Sequence, residues 1–370
     1  MITRVNNARY WARSPLRQEG YPVTQSRPTQ RQIAEAAGVS RTTVSFVLND
    51  VPDVRISPET RQRVLDAARR LNYYPDVTAR RLASGKTSTI ALVWHCGPDQ
   101  CYQDAFLPGF LQGITRAAHH YGYYVIFRPL EPDEPGDGYV ELARGRQTDG
   151  LIISGPRSDD PNLSRLHQDG FPLVLHGWLR SADIPSTDVD NVCSAMTAVQ
   201  HLLALGHRRI GMITNASLAY VASRQRLDGY RQALEQVGLP YDESLVQYGD
   251  FVEESGRAAM EPLLACDEPP TAIFAASDVV AMGALWALRD RGLRVPEDVA
   301  VVGFDDIPAA RFVTPALTTI RVPTFGLGWS AAELLVRIID RDPPQEIHVI
   351  LETNLVVRDS CGASAGACQS

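Results

Sequence analysis

The residues with the clearest capacity for chemistry lie in a polar run at 40–46. Arg41 carries a planar guanidinium that can pair with a guanine edge, and Thr42 can bond to a base or a phosphate. Phe46 can contact a thymine methyl group, and Ser45 adds a hydroxyl to the same outward face. Such side chains near the start of one helix are typical of a helix that contacts bases in the major groove of DNA.

Three short helices are predicted around this run, which lies on the second of them. Thr29 begins a capping-box pattern, in which a glutamine follows three residues later. Gly38 ends the first helix, Ser40 caps the second over 41–48, and Ser57 followed by proline starts the third. Two helices joined by so short a turn are typical of a helix-turn-helix. The alternative is a small three-helix packing module with a polar face.

The charge of the chain is distributed unevenly along its length. The net charge is −7, which taken alone argues against a nucleic-acid partner. Residues 1–86, however, hold 15 basic and 7 acidic residues, whereas residues 87–370 hold 21 and 36. A basic head on an acidic body favours a polyanionic partner for the head. Residues 1–28, with five arginines and one glutamate, are interpreted as a disordered basic tail.

The composition excludes several classes of protein. With 370 residues, 44% of them hydrophobic, the chain is long enough for two or three domains with sizeable cores. It contains no apolar run of membrane-spanning length, and its polar N-terminus does not resemble a secretory signal. The six cysteines lack metal-binding spacing and are expected to be free thiols in a reducing cytoplasm. No metal, cofactor or membrane partner is predicted, and no common catalytic motif is present.

The body that follows residue 86 alternates short apolar runs with helical patterns. Runs such as 90–94, 151–153 and 299–304 have the length of buried strands, and helical patterns such as 279–291 separate them. This alternation predicts an α/β body with parallel sheets and helices on both faces. The body is long enough for two lobes, and a cleft between them would gather the strand ends at which ligands bind.

The head resembles the DNA-binding signature of LacI-family bacterial transcriptional repressors. The resemblance rests on residues 33–45, with further landmarks at 71–75 and 79–82. It implies a hinge helix over the last of these, which folds when a dimer meets DNA, and Leu82 is the position that would wedge into the minor groove. Two residues depart from the family pattern: Phe46 stands where many members carry arginine, and Asp76 where asparagine is usual.

The resemblance continues through the body, in residues 206–210, 226–230, 303–306 and 315–320. It implies a two-lobed, type I periplasmic-binding-protein-like body with parallel sheets, behind the helix-turn-helix head and hinge helix. Three crossovers would join the lobes, two of them near 189–192 and 321–324. The expected domains are a tail at 1–28, a head at 29–74, a hinge at 75–87, a body at 88–360 and a flexible tail at 361–370. Within the body, the N-subdomain would hold 88–190 and 321–342, and the C-subdomain 191–320 and 343–360.

The DNA-contacting residues expected from the helix pattern and the resemblance lie on the second helix, at helix starts and in the hinge. The partner would be a double-stranded, palindromic operator, because a homodimer carries two heads related by two-fold symmetry. The expected residues are Thr29, Ser40, Arg41, Thr42, Thr43, Ser45, Phe46, Asn49, Ser57, Tyr73, Thr78, Ala79, Arg80 and Leu82.

The resemblance also implies a small-molecule effector in the cleft. Arg226 matches an arginine that grips the effector, and Asp305 an acidic residue that accepts from effector hydroxyls. Ser277 stands where many members have asparagine, and Phe251 matches an aromatic stacking position. The full expected set is Asp104, Phe106, His176, Trp178, Arg226, Phe251, Ser277, Asp278 and Asp305.

These polar candidates favour a carbohydrate effector and a regulator whose operator affinity the effector modulates. Three alternatives stay open at the level of sequence. A purine-type corepressor would suit the same family, and a solute-binding protein would share the body fold but would lack the DNA-binding head. An enzyme is the third, although it would need a catalytic motif that the chain does not show.

Overall fold

The computed structural model describes residues 28–48, 54–73, 85–95, 101, 104–130, 138–179 and 183–363. The chain divides into two compact units, Met1–Gly85 and Lys86–Ser370, which we call the head unit and the body. Within the described residues, none of the helices combines the length and the apolar character that crossing a membrane requires.

The described residues of the head unit form three helices: α1 (Gln30–Ala37), α2 (Arg41–Leu48) and α3 (Pro58–Arg70). Thr29 and Gln32 complete the predicted capping box of α1, and Gly38 ends it in the left-handed region at φ 65°. The helices pack through the fully buried side chains of Ile33, Val44 and Val64. Burial of these spaced apolar residues leaves the polar face of α2 turned outward.

The body consists of strands and helices in near-regular alternation. Its strands are β1 (Thr89–His95), β2 (Tyr124–Leu130), β3 (Gly150–Ser154), β4 (Leu173–His176), β5 (Ser186–Val189), β6 (Ile210–Thr214), β7 (Val246–Tyr248), β8 (Ala272–Ala275), β9 (Ala300–Asp305), β10 (Thr318–Arg321), β11 (His348–Leu351) and β12 (Asn354–Val356). Its helices are α4 (Leu107–His120), α5 (Gly138–Arg144), α6 (Pro161–Gln168), α7 (Asn191–Ala204), α8 (Val221–Gln236), α9 (Glu253–Leu264), α10 (Asp278–Asp290) and α11 (Thr324–Ile339). Short 3-10 turns lie at Glu243–Leu245 and Pro308–Arg311.

The strands form two six-stranded sheets, each the centre of one lobe. The first lobe has the order β11-β5-β4-β3-β1-β2, with all pairings parallel. The second has the order β12-β10-β9-β8-β6-β7, parallel except for the β10–β12 pair. Strands β1, β3, β8 and β9 are buried along nearly their whole length, because helices cover both faces of each sheet. The predicted α/β fold class with parallel sheets is confirmed.

The chain passes between the lobes three times: between β5 and α7, between β10 and α11, and between β11 and β12. The third passage corrects the expected subdomain boundary, which assigned all of 343–360 to the second lobe. Strand β11 instead pairs with β5 in the first sheet, and only β12 returns to the second. A strand of four residues carries no sequence signal for which sheet it joins, because pairing partners are chosen by tertiary contacts.

Two expectations about cysteines are also wrong. Cys101 is disulfide-bonded rather than free, whereas Cys193, Cys266 and Cys361 are free thiols. The flexible tail expected from 361 begins too early, because Cys361 is buried and its Sγ lies 3.2 Å from His201 Nε2 and 3.2 Å from Thr318 Oγ1.

Helices α4 and α11 cover one face of the first sheet and pack unusually closely. A Cβ placed on Gly328 would lie 2.0 Å from the carbonyl oxygen of Phe110, and one on Gly113 2.2 Å from that of Phe325. Only glycine permits such an approach of two helix backbones. The contact fixes the N-terminal end of α4, where Phe106 lines the cleft described next and the buried Phe110 packs against His176 of its wall.

Candidate ligand cleft and DNA-binding head

A cavity of about 900 Å³, partly open to solvent, lies between the two lobes of the body. It is lined by residues at the carboxyl ends of strands from both sheets, where parallel α/β folds commonly bind ligands. From the first sheet these are Trp94, Ser154 and His176; from the second, Asn215 and Asp305.

Arg226, on α8, lines the cavity and is held by contacts on several sides. Its Nε donates to Asn191 Oδ1 at 2.9 Å, and its Nη1 donates to the Ala276 carbonyl at 2.5 Å. The guanidinium carbon lies 3.8 Å from the centroid of the Phe304 ring, and Nη1 lies 3.9 Å from Asp305 Oδ1. Burial lowers the pKa of this guanidinium, but nearby carboxylates oppose that shift, so it stays a cation. The planar guanidinium fork of Arg226 is therefore fixed in one orientation before any ligand binds.

Asp305 is the last residue of β9 and lies opposite Arg226. Its backbone has φ 118°, a left-handed value that a non-glycine residue adopts only when its surroundings hold it there. Burial raises the pKa of Asp305, and the charge of Arg226 opposes the rise. The neighbouring Asp306 pairs with both Arg321 and Arg358, which anchors the strained turn. Asp305 can thus present hydroxyl-accepting oxygens from a rigid position.

A carboxylate that the sequence prediction missed, Asp188 on β5, also lines the cavity. Its oxygens accept from the amides of Trp178 and Val189 at 3.0 and 2.8 Å and from Asn191 Nδ2 at 3.0 Å. Burial raises the pKa of Asp188 to about 6. Because Asn191 in turn accepts from Arg226, Asp188 orients the arginine through one intermediate side chain.

The wall on the first lobe is aromatic. The ring of His176 stacks on that of Phe106 with centroids 5.3 Å apart and lies 4.4 Å from that of Phe110. Burial lowers the pKa of His176 to about 3, so the ring is neutral, and Ser154 Oγ lies 2.9 Å from its Nδ1. Asp104 accepts from Trp94 Nε1 at 3.1 Å and from the Phe106 amide at 2.9 Å. Its carboxylate therefore fixes the aromatic wall.

The wall on the second lobe carries Phe251 and Tyr220, whose rings meet edge to face with centroids 5.2 Å apart. Phe251 has φ 59°, and its amide donates to the Asn215 carbonyl at 2.8 Å. Ser277 lines the cavity between the walls, and its hydroxyl accepts from the Val280 amide at 3.3 Å as the cap of α10. Aromatic faces thus bound the cavity on both lobes, with polar groups between them.

The structure brings together most of the expected effector-binding residues but not all of them. Two lie elsewhere. Asp278 is fully buried behind the lining, where it accepts from Thr319 Oγ1 and the Ile307 amide. Trp178 faces a neighbouring groove and packs on His348, with ring centroids 5.4 Å apart. The expected residues that line the cavity are Asp104, Phe106, His176, Arg226, Phe251, Ser277 and Asp305.

Several lining residues escaped the sequence prediction, chiefly Trp94, Ser154, Asp188, Asn191, Asn215 and Tyr220. Trp94 packs in the core and also lines the cavity, because the end of a strand belongs to both. A more general signal was available in the sequence, since all six lie in the last residues of a strand, directly after its end, or at the cap or first residue of the next helix. Position relative to strand ends would have found them.

In the head, α2 has the form that base contact requires. Ser40 Oγ accepts from the Thr43 amide at 3.0 Å and so caps the helix, while Arg41 and Thr42 are exposed in its first turn. Ser45 and Phe46 are half-buried along the same helix. This geometry leaves the start of α2 free to enter a groove.

The other predicted DNA-contacting residues divide into two groups. Thr29 and Ser57 cap α1 and α3, and Tyr73 packs partly buried against the head core. The remainder lie outside the described residues: Asn49, Thr78, Ala79, Arg80 and Leu82.

Two family models match the chain. Residues 29–76 match bacterial regulatory proteins of the lacI family, and residues 199–361 match a periplasmic binding protein-like domain.

Full-length relatives match along nearly the whole chain. The HTH-type transcriptional regulator CelR of Thermobifida fusca is 38% identical over 90% of this chain and 98% of its own. Catabolite control protein A of Priestia megaterium is 33% identical over 89% and 97%, and the HTH-type transcriptional repressor CytR of Escherichia coli 34% identical over 90% and 96%.

Solved structures agree with these relatives. A complex of transcriptional regulator CelR with cellobiose superimposes with a TM-score of 0.69 at 37% identity, covering 90% of this chain and all of that one. The lac repressor dimer bound to operator and the anti-inducer ONPF superimposes with a TM-score of 0.80 at 27% identity, covering 91% and 100%. These relatives are regulators rather than enzymes. The chain belongs to the LacI family of bacterial transcriptional regulators, with a helix-turn-helix that binds DNA and a two-lobed body that responds to an effector.

Proposed function

We propose that this regulator binds a neutral gluco-disaccharide of the cellobiose type between its lobes and changes its operator affinity in response. The observation that carries the proposal is the fixed Arg226 fork facing Asp305 between two aromatic walls. A guanidinium and a carboxylate at this separation match the donors and acceptors of vicinal sugar hydroxyls. The cleft is proposed to bind its ligand without catalysing a reaction on it.

The charge of the lining supports a neutral ligand over a phosphorylated one. Among the described lining residues, Arg226 is a single cation against the carboxyls of Asp104, Asp188 and Asp305. Two nitrogens of that cation already donate within the protein. A phosphate would therefore meet an excess of buried carboxyl groups, and the cost of desolvating it would not be recovered.

The aromatic walls support a pyranose ring over an extended polyol. Sugar rings have an apolar C–H face, and flat aromatic side chains bury such faces without demanding hydrogen bonds. His176 with Phe106 offers one such face, and Phe251 offers another on the opposite lobe. The complex of the relative CelR with cellobiose supports a ligand of two linked rings.

The head is proposed to contact a palindromic operator through α2, with Arg41 and Thr42 at base edges and Ser45 and Phe46 beside them. Helix starts at Thr29 and Ser57 would meet phosphates, because backbone amides at these ends favour anions. Phe46 in place of a longer basic side chain favours a thymine methyl contact over a guanine at that position.

We propose that the body assembles as a homodimer. Phe312 is 79% exposed next to an apolar groove of the second lobe lined by Met282, Leu285, Trp286 and Val313. On the first lobe, the edge strand β2 exposes Tyr124 to 72%. A second copy, related by a two-fold axis, would cover large apolar side chains that otherwise face water.

The test begins with a thermal-shift panel of cellobiose, cellotriose, glucose 6-phosphate, hypoxanthine and adenosine. Cellobiose at about 100 times its dissociation constant is expected to stabilise the body by roughly 2.7 kcal/mol. At about 2–4 °C per kcal/mol for a body of this size, that is a shift of roughly 5–11 °C. An operator selected from a random DNA pool then reports whether cellobiose changes DNA affinity. A shift with hypoxanthine or glucose 6-phosphate but not with cellobiose would contradict the proposal.

A further inference from the structure

Two loops, one from each lobe, meet across the side of the cleft and are joined by backbone hydrogen bonds. Residues 155–158 follow β3 of the first lobe, and residues 217–221 lead into α8 of the second. Ser158 N donates to the Ala219 carbonyl at 3.0 Å, and Val221 N donates to the Pro156 carbonyl at 3.3 Å. Arg157 and Tyr220 form the antiparallel bridge between these bonds. We call the two loops together the clasp.

Side chains reinforce the same contact. The guanidinium carbon of Arg157 lies 5.4 Å from the centroid of the Tyr220 ring, within the range of a cation–π interaction. Asp159 accepts from Arg157 Nε at 3.0 Å and from its Nη2 at 2.8 Å, which holds the guanidinium in place. Ser158 Oγ adds a bond to the Ala219 carbonyl at 3.3 Å. The adjacent carboxyls of Asp159 and Asp160 thus serve the clasp and the cap of α6 respectively.

The clasp is also part of the cavity lining. Gly155, Pro156, Tyr220 and Val221 line the cavity, and the Tyr220 ring packs edge to face on Phe251. Residues of the covalent crossovers, such as Val189 and Val322, line it as well. A crossover cannot part, whereas the clasp is held only by noncovalent bonds. A ligand that extends past Phe251 toward Tyr220 must therefore separate the two loops.

We propose that the clasp determines the length of ligand that the cleft accepts, admitting two sugar rings with the loops joined and three only when they part. This inference rests on the proposed sugar-binding function. Parting the loops breaks two backbone hydrogen bonds, the bond from Ser158 Oγ and the Arg157–Tyr220 contact. At the usual net value of a hydrogen bond, that loss weakens binding of a three-ring ligand by about 10- to 100-fold relative to a two-ring one.

The variant Val221→Pro removes one backbone hydrogen bond of the clasp. Because it also changes a side chain that lines the cavity, the readout is the ratio of two sugar affinities measured on the same variant. Val221 is the first residue of α8, a position where proline is well tolerated, and Tyr220 before it is already extended at φ −75° and ψ 129°. The substitution removes the donor to Pro156 without removing a helix hydrogen bond. Glu253→Pro is the matched control, since Glu253 is the first residue of α9 in the same lobe and follows an equally extended residue.

Two measurements on the full chain separate this inference from the proposed function. Hydrogen exchange without ligand is expected to show a slow Ser158 amide in the wild type, at least fivefold faster in Val221→Pro and unchanged in Glu253→Pro. Titration calorimetry is expected to show the affinity ratio of cellotriose to cellobiose rising about fivefold in Val221→Pro alone, the value of one hydrogen bond.

Each outcome bears on one claim. A Ser158 amide that exchanges rapidly in the wild type, or an affinity ratio unchanged while that amide is freed, would overturn the length limit. If neither sugar binds the wild type at all, the sugar proposal fails, and the length limit falls with it. A slow Ser158 amide in that case would still establish the clasp as a contact.

Discussion

Replacing Arg226 by alanine is the most informative perturbation of the cleft, because this side chain joins the ligand surface to the second lobe and, through Asn191, to Asp188 of the first. Its Nε bonds to Asn191, which follows the first crossover, and its Nη1 bonds to the Ala276 carbonyl beyond β8. Truncation leaves those two acceptors and the Asp305 carboxyl without their buried partner. The variant is therefore expected to lose both stability and ligand binding, but not DNA contact by the head.

The magnitude follows from these contacts. A hydrogen bond to a charged group contributes about 1.5–3 kcal/mol, and two are lost. Part of this is recovered, since the variant no longer buries a charge whose pKa burial already lowers, and Asp305 can take up a proton. A net loss of about 2–4 kcal/mol corresponds to a Tm decrease of roughly 5–15 °C. Loss of one charged contact to the ligand weakens cellobiose binding by about 10- to 100-fold.

The assay compares wild type, Arg226→Ala and Arg226→Lys by thermal unfolding, by calorimetry with cellobiose and by operator binding without ligand. Lysine keeps the charge but not the planar fork, so it is expected to recover stability more than affinity. Operator affinity without ligand is expected to stay within about threefold of wild type, because the helix-turn-helix does not contain Arg226. Unchanged cellobiose affinity in Arg226→Ala, in a folded protein that still binds operator, would refute the assigned role of this residue.

Three further predictions concern the pH response, the packing of the first lobe and the head. Burial raises the pKa of Asp188 from 3.8 to about 6, so the folded state holds its proton more tightly than the unfolded chain does, and the contribution of this group to stability is greatest below pH 4. That contribution is expected to fall by on the order of 3 kcal/mol as the pH rises from about 4 to 6. Urea unfolding measures the fall, and an Asp188→Asn variant whose unfolding free energy depends on pH as steeply as that of the wild type would contradict the assignment. Gly328→Ala sets a methyl 2.0 Å from a backbone oxygen and is expected to cost about 3 kcal/mol or more, whereas exposed Gly122→Ala, which meets no neighbour but has φ 79°, is expected to cost only about 1 kcal/mol by calorimetry. Arg41→Ala is expected to weaken operator binding by about 1–3 kcal/mol without changing cellobiose affinity, and an operator affinity equal to wild type would remove Arg41 from the DNA contacts.

The helices of the head could be predicted from local sequence patterns alone. Its helix boundaries depend on capping by Thr29, Ser40 and Ser57 and on termination by Gly38, which are interactions within three or four residues. The apolar spacing that buries Ile33 is equally local. Such features are written in consecutive residues, so the three helices and the outward face of α2 could be predicted.

In the cleft, local patterns do not predict which side chains face the ligand. Asp278 and Asp305 both flank buried strands of the second sheet, and the sequence treated them alike as ligand contacts. The carboxyl of Asp305 lines the cavity, whereas that of Asp278 lies behind the lining and accepts a hydrogen bond from Thr319. The direction of a side chain at a strand end depends on the backbone angles of the turn and on partners distant in the chain, which no spacing encodes.

The sequence by itself determined the family, the α/β alternation of the body and the polar start of α2, because those are properties of neighbouring residues. Only the tertiary structure decided that β11 returns to the first sheet, that Asp188 orients Arg226 through Asn191, and that the loops at 155–158 and 217–221 join across the cleft. The physical reason is the same in each case. Apart from the Asp188–Asn191 bond, which spans a crossover, these contacts join residues some 35 to 160 positions apart, so their partners are chosen by packing of the whole body.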